Sequence, residues 1–328
     1  MSPIVSVVIP TFNRWPLVGE AVESVLAQSY ANFELVVVDD GSTDETQEEL
    51  AKFGSRLRLF AKAREGVAAA RNFGVSRALG SYIAFLDSDD LWRPKKLEVQ
   101  TGFMRQHPEI QICQSEEIWI RNGIRVNPRA KHQKFSGDIF FRSLDLCLVS
   151  PSAVMMTKTL FEQVGGFDES FPVCEDYELW LRIAVEHSVA LVSEPLVVKR
   201  GGHADQLSRS MWGMDRYRVL ALQKLLRAGL HGRRKAAALE IMRSKVAILA
   251  QGARKRGKER EAKDYDAIAA EFDLGECRCR RWRFAITQRR GAFIPRRWSG
   301  GLAGSKRTGT PWLRSLKFSR WVKTTCAT

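Results

Sequence analysis

Short apolar runs alternate with amphipathic stretches over the first 200 residues. The runs are rich in β-branched residues and predict strands near 5–9, 35–38, 57–60 and 82–86. The stretches between them, near 16–26, 42–53 and 66–79, repeat their apolar residues with helical spacing. Strands that are apolar throughout and alternate with helices predict an α/β fold, with a mostly parallel sheet covered by helices on both faces.

The pattern changes along the rest of the chain. Residues 110–160 predict further strands and loops, residues 176–187 an amphipathic helix, and residues 195–199 another strand. Helical spacing then dominates near 207–228, 233–252 and 258–272, while the last 50 residues have weak periodicity. We therefore predict an α/β domain at 1–210, a helical region at 211–275 and a tail at 276–328.

Polar side chains follow three of the predicted strands. The first strand leads into Pro10-Thr11-Phe12-Asn13, the second into Asp39-Asp40-Gly41-Ser42, and the fourth into Asp87-Ser88-Asp89-Asp90. Ligands of open α/β sheets bind at the carboxyl ends of the strands. The sequence therefore predicts a polar, acidic site at that edge of the sheet.

Asp87 and Asp89 form the most informative of these clusters. Crowded carboxylates repel each other, and a bound Mg²⁺ or Mn²⁺ removes that penalty. Such ions take oxygen ligands, usually one or two carboxylates together with substrate phosphates. The alternatives are a solvated acidic turn, or a helix N-cap at Asp90.

Three further positions are open to two interpretations each. Asp40 could accept a hydrogen bond from the imide of uracil, or the turn could cap the next helix through Ser42. Asp176 begins a predicted helix, and a helix N-terminus favours an ionised carboxylate by about 0.3–1 kcal/mol. Asp176 is therefore either a proton acceptor or a helix cap. His203 follows two glycines and is either solvated or a metal or phosphate contact on a mobile loop.

Taken together and in order, these segments resemble the family 2 glycosyltransferases, which have the GT-A fold of nucleotide-diphospho-sugar transferases. The resemblance covers residues 1–210, which it identifies as a catalytic domain. The matching segments are VSVVIPTFN at 5–13, ELVVVDDGST at 34–43, GVAAARNFG at 66–74, YIAFLDSDDLW at 82–92, GGFD at 165–168 and EDYELWLR at 175–182.

The resemblance implies roles for individual residues. Those expected to bind the nucleotide-sugar are Pro10, Thr11, Asp40, Arg71, Asn72, Asp87 and Ser88. Pro10 and Thr11 would line the base, and Asp40 would accept from it. Asp89 would bind the metal that bridges the diphosphate. His203 would add a contact to the metal or to the diphosphate. Asp176 would be the catalytic base, and Glu175 and Trp180 would lie on the acceptor and donor side.

The implied reaction is a single displacement with inversion at the anomeric carbon, using Mn²⁺ or Mg²⁺ and a nucleotide-sugar for which the family favours UDP. The acceptor would be a glycan or a lipid-linked hydroxyl compound of cell-surface polysaccharide or lipid-linked glycan synthesis. The QxxRW signature of processive members does not occur in the sequence, which favours addition of one sugar at a time. The alternatives are a nucleotidyltransferase on a similar sheet, and a catalytically silent module that binds nucleotide-sugars.

Charge adds a second expectation. The net charge is +15, and residues 231–328 alone hold 25 Lys/Arg and 8 Asp/Glu, which leaves residues 1–230 at a net of −2. A basic tail with four tryptophans favours contact with an anionic membrane. A solvated or disordered tail and, less favoured, nucleic-acid binding are the alternatives.

The sequence contains few signals for membrane insertion, for export or for zinc binding by cysteines. We find no apolar run long enough for a span, no signal peptide, and no cysteine pairs with zinc spacing among the six cysteines. The expected location is the cytoplasm, with peripheral contact at the inner face of the membrane, and the expected state of the cysteines is the free thiol.

Overall fold

The computed structural model of the protein describes residues 4–202 and 213–272. The strands are β1 Val5–Thr11, β2 Phe33–Asp39, β3 Arg58–Ala61, β4 Tyr82–Phe85, β5 Leu91–Trp92, β6 Ile112–Arg121, β7 Ile124–Val126, β8 Val154–Thr157 and β9 Ala190–Gly201. The helices are α1 Leu17–Leu26, α2 Thr46–Ala51, α3 Val67–Ser76, α4 Lys96–Gln106, α5 Phe140–Ser143, α6 Lys158–Gln163, α7 Glu175–Glu186, α8 Met214–Arg227, α9 Gly232–Lys255 and α10 Glu259–Glu271.

The described strands form one sheet in the order β3-β2-β1-β4-β8-β6-β9-β5, with β7 paired to β6. The half from β3 to β4 is parallel throughout, as predicted. The other half is mixed: β8 is antiparallel to β4 and β6, β9 is parallel to β6, and β5 is antiparallel to β9. A tight hairpin joins β6 to β7, and Asn122 and Gly123 in its turn both take the positive φ that such turns require.

Alternate residues of the central strands enter two apolar clusters. Val8, Val38 and Phe85 belong to a cluster that includes residues of α3, α6 and α7, whereas Val7 and Val37 belong to a second cluster with α1. Helices α8 and α9 add residues to the first cluster. The α/β class and the helical C-terminal region are therefore confirmed, while the division at 210 stays a prediction. Among the described residues, no helix combines the length and apolar composition of a membrane span.

The predicted helix cap at Ser42 is wrong. Helix α2 begins at Thr46, four residues later, and Asp44 rather than Ser42 accepts from the backbone N–H of Thr46, at 3.0 Å. The Ser42 hydroxyl instead donates to the Asp39 carboxylate and accepts from the backbone N–H of Asn13 at 2.8 Å. Ser42 thus ties together the loops that follow β1 and β2.

Helix α3 lies unusually close to the sheet because of Gly74. A Cβ at this position would be 2.4 Å from Cγ1 of Val8 and 3.2 Å from Cγ2 of Val38, both of which are fully buried. No side chain fits without displacing strand residues. The glycine therefore sets the distance of α3 from β1 and β2, and with it the position of Arg71 one turn earlier.

We predict opposite effects for two helical Gly→Ala substitutions. Gly74→Ala is expected to lower the free energy of unfolding by about 1–3 kcal/mol, because the added methyl overpacks the core. Gly102→Ala, in α4, meets no atom within 4 Å and is expected to raise it by about 0.5–1 kcal/mol, since alanine favours helix. Urea unfolding of both variants tests this, and equal effects would contradict the close approach of α3.

Candidate active site

A cavity of about 960 Å³ opens where β1, β2 and β4 end. All the predicted site residues that the structure describes line this cavity except Asn72 and Trp180. The residues that line it are Pro10, Thr11, Asp40, Arg71, Asp87, Ser88, Asp89, Glu175 and Asp176. The strand-end rule thus predicts the location of the cavity, whereas the role of each residue stays a prediction. His203 lies outside the described residues.

A buried arginine joins two sides of the cavity. Arg71 Nη1 donates to Glu175 Oε1 and Nη2 donates to Asp87 Oδ1, each at 2.7 Å. Burial alone would lower the pKa of Arg71, but the carboxylates of Asp87 and Glu175 raise it above its usual range. The guanidinium also lies 5.0 Å from the ring centroid of Phe167. Arg71 therefore holds α3, the loop after β4 and the start of α7 in a fixed relation.

The acidic cluster after β4 divides into two kinds of carboxylate. Asp90 points into the protein, where it accepts from Ser152 Oγ at 2.7 Å and from the backbone N–H of Arg200 at 2.9 Å. It precedes the short strand β5 rather than a helix, so the alternative of an N-cap at Asp90 is wrong. Asp87, Asp89 and Asp90 all border the cavity, but the hydrogen bonds of Asp90 go to the protein itself.

Asp87 and Asp89 fit a divalent cation as oxygen ligands. Within residues 4–202 and 213–272, no group of three or more His, Cys, Asp or Glu side chains could hold a metal by itself. Mg²⁺ and Mn²⁺ commonly take only one or two carboxylates from the protein, with the remaining ligands supplied by substrate phosphates and water. The donor set is therefore suited to an ion that binds together with a phosphate-containing substrate.

Two adjacent carboxyl groups at the start of α7 have different surroundings. Asp176 Oδ2 lies 3.5 Å from the Cys147 thiol, and its Oδ1 accepts from the backbone N–H of Tyr177 at 2.7 Å. Glu175 is 4% exposed and bound to Arg71. Burial, together with the charge of Asp176, raises the pKa of Glu175 to about 7 against the opposing effect of Arg71. Unlike Glu175, Asp176 accepts no hydrogen bond from a cationic side chain among the described residues.

Asp40 and Thr11 lie near each other at the ends of β2 and β1. The Asp40 carboxylate accepts from Lys62 Nζ at 3.1 Å and from the backbone N–H groups of Glu65 and Gly66 at 3.0 and 2.7 Å. Asp40 thus anchors the segment that leads into α3. Thr11 Oγ1 is buried and has no hydrogen-bond partner in the described part of the chain. An unsatisfied buried hydroxyl in a cavity wall is available to a ligand.

Asn72 and Trp180 do not lie where the sequence predicted. The Asn72 amide donates to the carbonyl of Phe167 at 2.9 Å and to Glu169 at 2.8 Å, so it fixes the segment 167–169 rather than lining the cavity. Trp180 is 2% exposed and packs edge-on to Phe167 in the core. Neither position supports the substrate contact that we expected.

Sequence reasoning missed four cations in the cavity wall, which are Arg14, Arg64, Lys199 and Arg200. Burial alone would lower the pKa of Lys199, but surrounding carboxylates, among them Glu117, Asp90 and Asp176, raise it above its usual range. Lys199 Nζ also donates to Ser150 Oγ at 3.0 Å. For Lys199 and Arg200, the available signal was two consecutive cations at the end of the strand predicted at 195–199.

Comparison with known proteins agrees with this architecture. The model of glycosyl transferase family 2 matches residues 6–165. An uncharacterised glycosyltransferase of Rickettsia felis is 40% identical over 200 residues, which are 58% of this chain and 32% of that protein. The Escherichia coli protein WfgD, named UDP-Glc:alpha-D-GlcNAc-diphosphoundecaprenol beta-1,3-glucosyltransferase, is 32% identical over 222 residues, 67% of this chain and 83% of that protein.

A solved structure resembles the fold as well. S. aureus TarS, residues 1–349, in complex with UDP-GlcNAc, has a TM-score of 0.57 and 18% sequence identity, and the match covers 87% of this chain and 94% of that one. The chain belongs to family 2 of the glycosyltransferases and has their GT-A fold. It spans about a third of the length of the first curated relatives it matches.

We predict that Arg71→Met destabilises the protein by about 3–5 kcal/mol, because it leaves Asp87 and Glu175 without their shared cation. Arg227→Met is the matched control: Arg227 pairs with Glu271, but both side chains are about half exposed, so the loss should stay below about 1 kcal/mol. Urea unfolding of the two variants measures the difference. Equal, small losses would contradict a structural role for the Arg71 bridge.

We also predict a pH dependence from Glu175. Its pKa in the folded protein is about 7 against an ordinary value of 4.5, so between these values the folded state holds more protons than the unfolded state. The free energy of unfolding therefore falls as the pH rises through this window, by up to about 3 kcal/mol. Glu175→Gln should remove that slope in urea unfolding, and wild-type and variant curves that run parallel with pH would be inconsistent with it.

Proposed function

We propose that this protein transfers a sugar from a nucleotide-sugar, with UDP-sugars the first candidates, to the hydroxyl group of an acceptor. The observation that carries the proposal is the convergence of Asp87, Asp89 and Asp176 on one cavity at the strand ends of a family 2 glycosyltransferase. The names of the E. coli relative and of the TarS complex, which include UDP-Glc and UDP-GlcNAc, support UDP as the nucleotide.

On the donor side, Pro10, Thr11 and Asp40 would bind the base, and the free hydroxyl of Thr11 would gain a partner. Asp87 and Asp89 would hold Mn²⁺ or Mg²⁺, which when bound neutralises charge on the diphosphate. Arg71 keeps Asp87 in place from behind through its hydrogen bond. The Lys199 ammonium in the same wall would add positive charge near the departing diphosphate.

On the acceptor side, Asp176 would take the proton from the attacking hydroxyl. The acceptor oxygen then forms a bond to the anomeric carbon, and the bond from that carbon to the diphosphate oxygen breaks, so that the electron pair leaves with the nucleotide. A single displacement inverts the anomeric configuration. The name of the E. coli relative also supports a lipid-linked acceptor in cell-surface glycan synthesis.

We predict that Asp176→Asn lowers the turnover of sugar transfer by about 10²–10⁴-fold, because the amide cannot accept the proton. Binding of UDP, measured by calorimetry, should stay within a few-fold of wild type since the change leaves the donor side intact. Asp264→Asn, on the exposed face of α10, is the control and should leave both unchanged. The assay screens UDP-sugars with Mn²⁺ and follows the released nucleotide.

Three results would separate the alternatives. Full turnover in Asp176→Asn would reject the proposed base. Binding of UDP without turnover in the wild type, over a panel of donors and acceptors, would favour a silent binding module. Release of pyrophosphate from a nucleoside triphosphate would favour a nucleotidyltransferase.

A further inference from the structure

The segment 119–132, which we call the basic hairpin, is a positively charged part of the α/β region. It comprises the end of β6, strand β7 and the turn Ala130–His132. It contains four Lys/Arg and no Asp/Glu, within a region, residues 1–230, whose net charge is −2. The four cations are Arg121, Arg125, Arg129 and Lys131, and all four are exposed.

These cations have no ion-pair partner in the part of the chain that the structure describes. Other surface arginines of the protein are paired, such as Arg234 with Asp138 and Arg58 with Glu34. Burial lowers the pKa of His132, and the positive charges of Lys131, Arg121, Arg129 and Lys199 lower it further. A concentration of unpaired positive charge attracts an anionic ligand.

The basic hairpin continues directly from the wall of the cavity. In the parallel pairing of β6 with β9, Trp119 is opposite Lys199, which lines the cavity. Neighbouring strands are about 4.8 Å apart, and Arg121 lies two residues beyond Trp119 on the same face, about 7 Å further on. The His132 ring is 5.1 Å from the Trp119 ring, and the Arg121 guanidinium is 5.7 Å from it.

We propose that the basic hairpin binds the diphosphate of the acceptor, so that the substrate class is a sugar linked through a diphosphate to an apolar chain. This inference rests on the proposed function, because it assumes that the acceptor sugar reacts beside Asp176. The Trp119 and His132 rings, tilted by 57° to each other, add aromatic surface next to the cavity. Ile124, at the tip of the hairpin, is 68% exposed and is suited to contact with the apolar chain.

A general affinity for anionic membranes is the rival interpretation of the same charges. The position of the charges favours the acceptor. The basic hairpin starts one strand away from Lys199, which lines the cavity and whose pKa is raised by Asp87 and Asp176 among other carboxylates. A phosphate bound to the hairpin therefore lies close to the reacting groups. A membrane-binding patch has no need of this continuity with the cavity.

The test uses the full chain and decyl diphosphate as the probe, with saturating UDP present to fill the donor site. The variant R121Q/R125Q/R129Q should bind the probe about tenfold more weakly or worse than wild type, since three charge contacts are lost. The matched control, R105Q/R233Q/R260Q, removes the same number of exposed positive charges elsewhere and should bind like wild type. Replacing the three hairpin arginines by lysine should restore most of the affinity.

Calorimetry with decyl diphosphate, inorganic pyrophosphate and decanol distinguishes the diphosphate from the apolar chain. Equal affinity of wild type and R121Q/R125Q/R129Q for decyl diphosphate, or no affinity in either, would overturn the inference. The inference would also be overturned if the three arginines were needed for binding to phosphatidylglycerol vesicles but decyl diphosphate did not bind. If the wild type did not bind UDP in the first titration, this would count against the proposed function. Repeating the decyl diphosphate titration without UDP tests the basic hairpin separately.

Discussion

The buried guanidinium of Arg71 is the interaction on which the candidate site depends. It joins residues that are 16 and 104 positions away along the chain, and it does so where two carboxylates would otherwise repel each other at close range. The fork of the guanidinium can bind both carboxylates at once, which a lysine cannot. Arg71 thus makes the donor-side loop after β4 and the acceptor-side start of α7 parts of one rigid unit.

Two features of the fold place that arginine. Gly74 brings α3 into contact with β1 and β2, so the helix presents Arg71 to the cavity at a fixed depth. Asp40 binds the backbone N–H groups of Glu65 and Gly66 and so fixes the start of the same helix. Asp40, which the sequence predicted to bind the nucleotide base, therefore also has a structural role. Its second carboxylate oxygen can still accept another hydrogen bond.

The sequence predicted the edge of the sheet at which the cavity lies, because that prediction needs only the order of strands and the polar residues after them. Asp87 and Asp89 follow from this rule, whereas Asp176 was expected from the start of a predicted helix and from the family resemblance. The errors at Asn72, Trp180 and Ser42 have a common cause: which way a side chain points depends on partners distant in sequence, such as Phe167, 95 residues from Asn72. Lys199 was missed for the same reason, since no local pattern shows that β9 returns beside β6.

The change from parallel to mixed pairing separates the two sides of the candidate site. The parallel half leads into the loops after β1, β2 and β4 at one edge of the sheet, and so gathers short polar segments around a donor. In the other half, β6 has ten residues and β8 only four, so β6 runs beyond its neighbour. Pairing with β7 and β9 supports this overhang, so Arg121 and Arg125 project from paired strands, while Arg129 and Lys131 follow β7. A surface of this kind can hold a charged acceptor at a constant distance from Asp176, which is what transfer to one particular hydroxyl requires.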